Sequence, residues 1–241
     1  MPKKKTKYQG YLKQIEALSK VANLITSGLY LEEVLKLIVQ VTAEIMNSKI
    51  CSLMLLDEEK KELVVKATQS ISENYNKKPS IKLGQGIAGL VASENKPICV
   101  LDVRKDERYV NCDIAKKEGL CSLASMPLSV KGRVIGVLNV YTSKKHKFLK
   151  PELDVLTAVA NQAAVAIENA ELNLKARSAE EALVTRKIVE RAKDVLSQEA
   201  NILPTEAFRL IQKQSMDTRK TMREIAEAII LVKEVKNRKP Q

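Results

Sequence analysis

Arg186 to Ile230 reads RKIVERAKDVLSQEANILPTEAFRLIQKQSMDTRKTMREIAEAII. Its apolar residues recur at spacings of three and four, the signature of helices with one buried face. Thr185 to Gln198 carries Ile188, Val189, Ala192, Val195 and Leu196 on one side. Asn201 and Pro204 mark a break. Thr205 to Lys213 then places Ala207, Phe208, Leu210 and Ile211 on a second helix. Asp217 or Thr218 is suited to cap a third, whose stripe is Met222, Ile225, Ala226, Ile229 and Ile230. Three short amphipathic helices make a small bundle. Its size is near the lower limit for independent folding, so support from an upstream helix is expected.

The polar faces of the bundle are basic in places rather than overall. From Ala179 onward there are thirteen Lys and Arg against ten Asp and Glu, a net charge of only +3. Arg186, Lys187, Arg191 and Lys193 line the first helix. Lys213, Ser215, Arg219, Lys220 and Arg223 gather at the end of the second and the start of the third. Such a patch can hold phosphates and lay guanidinium planes on unstacked loop bases. The plainer alternative is a solvated charged bundle that serves only to dimerise.

The full chain has 241 residues, net charge +12, 45% apolar residues, 3% aromatic residues and no Trp. That length is comfortable for two domains with aliphatic cores. The charge favours polyanionic partners, against the alternative of a merely Lys-rich surface. Lys3, Lys4, Lys5 and Lys7 fall in a basic tip, residues 1–10, read as disordered. No apolar run suits a membrane span and no signal peptide is recognisable, so the expected location is cytoplasmic, with no membrane partner. Cys51, Cys99, Cys112 and Cys121 form no Cys-x-x-Cys pair, and no metal site is expected.

Upstream, two helical stripes come first: Leu12, Ile15, Leu18, Ala22, Ile25, and then Leu31, Val34, Leu35, Ile38, Val41, Ile45, with Gly28 between them. Strand patterns follow at Ile50–Leu56, Leu63–Thr68, Ile98–Leu101, Ser122–Val130 and Val134–Tyr141. The last two are joined by Val130-Lys131-Gly132-Arg133, a tight hairpin. Helices, then hairpins, then a closing helix describe an α+β domain with an antiparallel sheet. Gly84-Gln85-Gly86-Ile87-Ala88-Gly89 fits G-x-G-x-x-G, but a dinucleotide fold needs that motif inside a parallel βαβ unit. Here the better reading is a tight turn opening a short helix, Ile87 to Ser93. His146, the one histidine, sits in a basic run unsuited to metal or catalysis.

Pro151-Glu152 opens a long helix. Leu153, Ala160, Ile167 and Leu174 recur every seven residues, as do Leu156, Ala163 and Ala170. This a/d seam predicts a helix that closes the sheet domain and then pairs with a second copy, giving a homodimer. No Gly or Pro interrupts it before Pro204, so it can carry rotation or strain toward the tail.

Residues 11–172 resemble a GAF domain, a small-ligand sensor module. The resemblance rests on Gly84-Gln85-Gly86-Ile87-Ala88-Gly89-Leu90-Val91, Lys96-Pro97-Ile98, Asp102, Ser125-Met126-Pro127-Leu128 and Gly132-Arg133-Val134-Ile135-Gly136-Val137-Leu138. It implies a pocket between the sheet and Val103–Leu120, offering Asp102, Arg104, Arg108, Tyr109, Asn111, Cys112 and Cys121 to a small polar effector. Residues 179–238 resemble an ANTAR domain, an RNA-binding antiterminator module. The matching positions are Arg186, Ile188, Ala192-Lys193, Leu196, Ala207-Phe208, Leu210, Ser215-Met216, Arg223 and Ala226. Asp194 stands where that family usually has Gly, Gln212 where it often has Arg, and Arg219 where it often has Asn.

The expected architecture is therefore an antiparallel-sheet GAF domain joined by a long, partly coiled-coil helix (151–180) to a C-terminal three-helix ANTAR bundle. The resemblance implies a non-enzymatic bacterial regulator that needs no cofactor, binds paired stem-loops in leader RNA, and takes an unidentified small effector or a redox signal. Two alternatives stand beside it. One is a GAF thiol enzyme resembling the free methionine sulfoxide reductases. The other is a helix-turn-helix DNA-binding regulator.

Overall fold

The computed structural model describes residue 19 and residues 30–70, 72, 75 and 78–237. The Lys3–Lys7 run, the stripe from Leu12 to Ile25 and Gly28 lie outside the described residues. The chain divides into two compact units, Met1–Leu172 and Asn173–Gln241.

In the first unit the elements are α1 (Leu31–Met46), β1 (Ile50–Asp57), β2 (Glu62–Thr68), β3 (Ile81–Lys82), α2 (Gly86–Glu94), β4 (Ile98–Val100), α3 (Cys112–Lys117), β5 (Leu123–Val130), β6 (Arg133–Tyr141) and the start of α4 (Lys150–Ala200). The six strands form one sheet in the order β3-β2-β1-β6-β5-β4, and every pairing is antiparallel. The turn between β5 and β6 holds both Lys131 (φ 50°) and Gly132 (φ 83°) in the left-handed region, as a two-residue hairpin of this twist requires.

Strand alternation sorts the sheet into two cores. Cys51, Leu53, Leu55, Ala124, Met126, Leu128, Leu138 and Val140 face α1 and the first turns of α4. Ile50, Met54, Leu123, Val137 and Tyr141 face the other way, against α2, α3 and the loops between them. Gly86 (φ 65°) makes the turn into α2, and a Cβ on Gly89 would collide with the Lys82 carbonyl. The glycines of the G-x-G-x-x-G stretch thus seat a helix on the β3 backbone, in an antiparallel setting that has no βαβ unit.

The seven-residue seam of α4 divides, with nearly all of it taken up by the sheet domain. Leu156, Ala160, Ala163, Ile167 and Ala170 are buried in the first unit's own core, and Leu153 packs at its edge. A helix lying on a sheet demands the same recurrence of small and apolar residues as a helix lying on a helix. Of the seam, Leu174 alone is exposed, together with its neighbours Leu172, Leu183 and Val184.

The second unit comprises the end of α4, α5 (Pro204–Thr218) and α6 (Met222–Asn237). Its core is Val189, Ala192, Ile211 and Ala226, flanked by Ile188, Leu196, Met222, Ile225, Ile229 and Ile230. Ala207 is also fully buried, whereas Phe208 (39% exposed) and Leu210 (49%) stand outside. Asn201 (φ 50°) ends α4. The cap of α6 falls at Thr221 rather than at Asp217 or Thr218, because α5 runs on through Thr218. Thr221 Oγ1 accepts from the Glu224 N–H at 3.2 Å, while the Thr221 N–H donates to Glu224 Oε2 at 2.7 Å.

Candidate functional site

The second face of the sheet is apolar except for one row. Ser52, Asn139 and Ser125 are directly paired across β1, β6 and β5, and all three are buried. Ser125 Oγ donates to Asn139 Oδ1 at 2.7 Å, and the Ser52 and Tyr75 hydroxyls share a hydrogen bond of 2.9 Å. Three adjacent polar positions at the centre of a sheet sacrifice apolar burial, and the hydrogen bonds they make offset that loss.

Above that row stand three tyrosine rings. Tyr75 and Tyr109 each meet Tyr141 edge-on, with centroids 6.1 and 6.4 Å apart. Tyr109 Oη donates to Tyr141 Oη at 3.3 Å. Burial pushes all three phenols well above their ordinary range, so they are neutral donors and acceptors at any physiological pH. Into the space they enclose reaches Lys78. Its Nζ lies 4.7 Å from the Tyr75 ring centre and 5.5 Å from those of Tyr109 and Tyr141, and it donates to Tyr109 Oη at 3.3 Å. Among the described residues no carboxylate pairs with it. Burial pushes its ammonium down to about 8.

The effector residues expected from the sequence do not converge on one place. Tyr109 is in the cage. Asp102, Arg104 and Cys121 form a separate cluster. Arg104 forks onto Asp102, with Nε to Oδ1 and Nη2 to Oδ2 both 2.8 Å, and Nη2 also reaches Cys121 Sγ at 3.4 Å. The guanidinium holds the Asp102 carboxyl at about 2. Arg108 forks in the same way onto Asp106, at 2.9 and 2.7 Å. Both arginines are thus neutralised by the acid two residues before them and are not poised for an anionic ligand. Asn111 precedes α3, and Cys112 Sγ donates to the Tyr109 carbonyl at 3.1 Å. The four cysteines are free, and burial pushes the Cys51 and Cys99 thiols up, away from thiolate chemistry. A cleft of about 590 Å³ on the opposite face, lined by Leu35, Lys36, Leu55, Asp57, Val64 and Glu171 among others, includes none of the expected effector residues.

Ser52, Tyr75, Lys78, Asn139 and Tyr141 escaped the sequence reading. Tyr75 and Lys78 sit in SISENYNKKPS (70–80), a polar stretch that reads as an ordinary connection. The available signal was scarcity: the chain has six tyrosines and two phenylalanines, and half of the tyrosines converge here.

In the second unit the nine expected RNA-contact residues are not equivalent. Arg191 pairs with Glu234 at 3.0 Å, Lys193 with Glu190, and Arg223 with Glu227 at 2.8 Å. Ser215 Oγ donates to the Lys220 carbonyl at 2.6 Å, which fixes the α5–α6 turn. Arg219 occupies that turn at φ 55°, in the left-handed region that asparagine tolerates better. Among the described residues Arg186, Lys187, Lys213, Arg219 and Lys220 have no acidic partner, and all five are exposed. Phe208, on α5, gives the unit an exposed ring.

The class defined by these features is a two-part protein: a sheet domain with a polar, aromatic-walled centre on one face, followed by a helical bundle with a basic turn. Residues 29–168 match the GAF domain and residues 177–230 match the ANTAR domain. The chain belongs to the GAF family and carries an ANTAR domain behind its GAF domain. It is 33% identical over 179 residues to the methyl sulfide methyltransferase-associated sensor of Methanosarcina acetivorans, across 68% of this chain and 18% of that protein. Over 50 residues it is 44% identical to the transcriptional regulatory protein PdtaR of Mycobacterium tuberculosis, across 21% of this chain and 24% of that one. The chain thus spans less than a quarter of the length of these relatives. The GAF domain of a phosphoenolpyruvate-protein phosphotransferase from Coxiella burnetii superposes with a TM-score of 0.61 at 25% identity, over 67% of this chain and 96% of that one. Among the described residues no helix is long and apolar enough to cross a membrane.

Proposed function

We propose that this protein is a signal-responsive RNA-binding regulator that promotes transcription antitermination. The GAF domain takes a small effector or redox signal, and the ANTAR domain binds paired stem-loops in a leader transcript. No covalent chemistry is needed for either step. The observation that carries the reading is the ANTAR match over 177–230, which encloses Arg219 and Lys220 in the α5–α6 turn and Lys213 on α5, none of them paired with an acid among the described residues. Phosphates would be held there and on Arg186 and Lys187, with Phe208 and Arg219 available to stack on loop bases. Arg191, Lys193 and Arg223 would first have to leave carboxylates, so their contribution is the smaller one.

Homodimerisation belongs to the same reading. Every residue of α4 from Leu172 to Val184 is exposed. Apolar side chains left in water on one helix favour burial against a partner, and this stretch carries Leu172, Leu174, Leu183 and Val184. Pairing with a second copy along this stretch would supply the missing burial and bring two ANTAR domains to two hairpins.

Binding of the full chain to a dual-hairpin RNA, compared with duplex DNA of equal length, tests the proposal. Preference for the RNA, lost on replacing Lys213, Arg219 and Lys220 together by Ala, is the expected result. Equal or stronger binding to the duplex would favour a DNA-binding regulator. The thiol-enzyme alternative has one observation in its favour, Arg104 beside Cys121. Turnover of free methionine sulfoxide that vanishes in Cys121→Ser would support it.

A further inference from the structure

Lys78 is an occupant of the tyrosine cage and a poor one. Three ring faces lie within about 6 Å of its Nζ, the arrangement by which proteins hold cations through the ring quadrupole. A primary ammonium, however, carries three N–H donors and a tight hydration shell. Among the described residues the cage offers it one acceptor, Tyr109 Oη. The price of stripping its water is visible in the lowered ammonium of Lys78, which burial pushes to about 8. The rings are anchored independently of it: Tyr75 by Ser52, and Tyr109 by Tyr141. Lys78 is half-buried on a flexible stem, so its head can turn to solvent while the rings remain in place.

We propose that the cage is the head-group site of the GAF effector, and that the effector is a small alkylated onium cation of the quaternary ammonium type which displaces Lys78. Such a cation has no N–H to satisfy, is weakly hydrated and keeps its charge at every pH. It is therefore a better guest for three neutral phenol rings than the lysine it replaces. The buried Ser52–Asn139–Ser125 row lies beside the rings, with the Ser52 hydroxyl holding Tyr75 and the Ser125 hydroxyl donating to Asn139. Displacement turns the Lys78 head out of the cage, which gives the signal a structural consequence at a described residue. This inference rests on the reading of the domain as an effector sensor and names the effector's chemical class.

The test is calorimetric titration of the full chain with tetramethylammonium chloride and, separately, with sodium acetate at matched ionic strength. The expected result is saturable binding of tetramethylammonium at millimolar concentrations and none of acetate. Lys78→Ala removes the competitor, so it should tighten tetramethylammonium binding several-fold. Tyr109→Leu removes a wall and should weaken it about tenfold or more. An anionic effector predicts the opposite sign: acetate would bind, and Lys78→Ala would abolish binding. That result, or the absence of tetramethylammonium binding in both the parent and Lys78→Ala, would overturn the proposal. The Lys78 variant carries the test even where Tyr109→Leu fails to fold. RNA binding without ligand is scored apart. Loss of the cage claim with RNA binding intact leaves the regulatory reading standing, and onium binding without RNA binding does the reverse.

Discussion

Replacing Lys78 by Met should make the first unit more stable, and the gain should depend on pH in one direction. The substitution keeps an apolar stem of similar length among the three rings and removes the charge. Burial lowers the ammonium from an ordinary lysine value of 10.5 to about 8. At about 1.4 kcal/mol per pH unit, that displacement corresponds to a cost on the order of 3 kcal/mol at neutral pH. The ring faces return about 0.5–2 kcal/mol of it. The Met variant should therefore gain about 1–3 kcal/mol at pH 7. Because the folded value lies below the unfolded one, the unfolded chain holds this proton to higher pH. The parent protein then recovers stability as pH rises from about 8 toward 10.5, where the folded state has released the proton. The advantage of Met is full below about pH 8 and shrinks across that window. Tyr75, Tyr109 and Tyr141 remain neutral in the folded state throughout, and the ionisation of unfolded tyrosines is common to both proteins. The assay is urea denaturation followed by tyrosine fluorescence at pH 6.5, 8 and 9.5. The chain has no Trp and all six tyrosines precede Leu172, so the signal reports the first unit. A Met variant less stable than the parent at pH 7, or a gain that does not change with pH, would refute the reasoning.

Three further outcomes follow from the geometry. Arg219→Gly relieves a left-handed backbone, so the second unit should gain about 0.5–1 kcal/mol in thermal unfolding while RNA affinity falls and the salt slope drops by about 0.7. Gly89→Ala drives a Cβ into the Lys82 carbonyl and should cost about 2–4 kcal/mol in the first unit by denaturant titration, with circular dichroism of the helices of the second unchanged. Ile211→Ala empties the centre of a core built on four buried residues, and should cost about 2–4 kcal/mol and abolish RNA binding by melting the bundle.

The two-part architecture was readable because periodicity reports local geometry. The stripe from Leu31 to Ile45 is α1, and the alternating runs are β1, β2, β5 and β6. The glycine landmarks also read correctly, since a positive φ or a close backbone approach leaves a mark on composition. What periodicity does not report is the identity of the partner. The repeat from Leu153 to Ala170 looks the same whether a helix meets a sheet or another helix, and here the sheet takes most of it. The same limit explains Phe208, which shares an apolar run with Ala207 but falls on the outer side of α5. Nor does a linear pattern announce convergence. Tyr75, Tyr109 and Tyr141 are brought together by the sheet and the loops above it, and Lys78 reaches them from a stretch with the composition of a simple turn. Asp102, Arg104 and Arg108 read as polar groups offered to a pocket. Each Arg instead folds back on its own Asp, a local pairing that a residue list does not show.

The proposed function stands on RNA binding by the ANTAR domain. Its most direct test is the affinity of the full chain for a fluorescent dual-hairpin RNA, measured by anisotropy across a range of salt. Binding should weaken steeply with salt, exceed that for duplex DNA of equal length, and collapse when Lys213, Arg219 and Lys220 are all changed to Ala. Equal affinity for duplex and hairpins, or hairpin binding that survives the triple substitution, would contradict it.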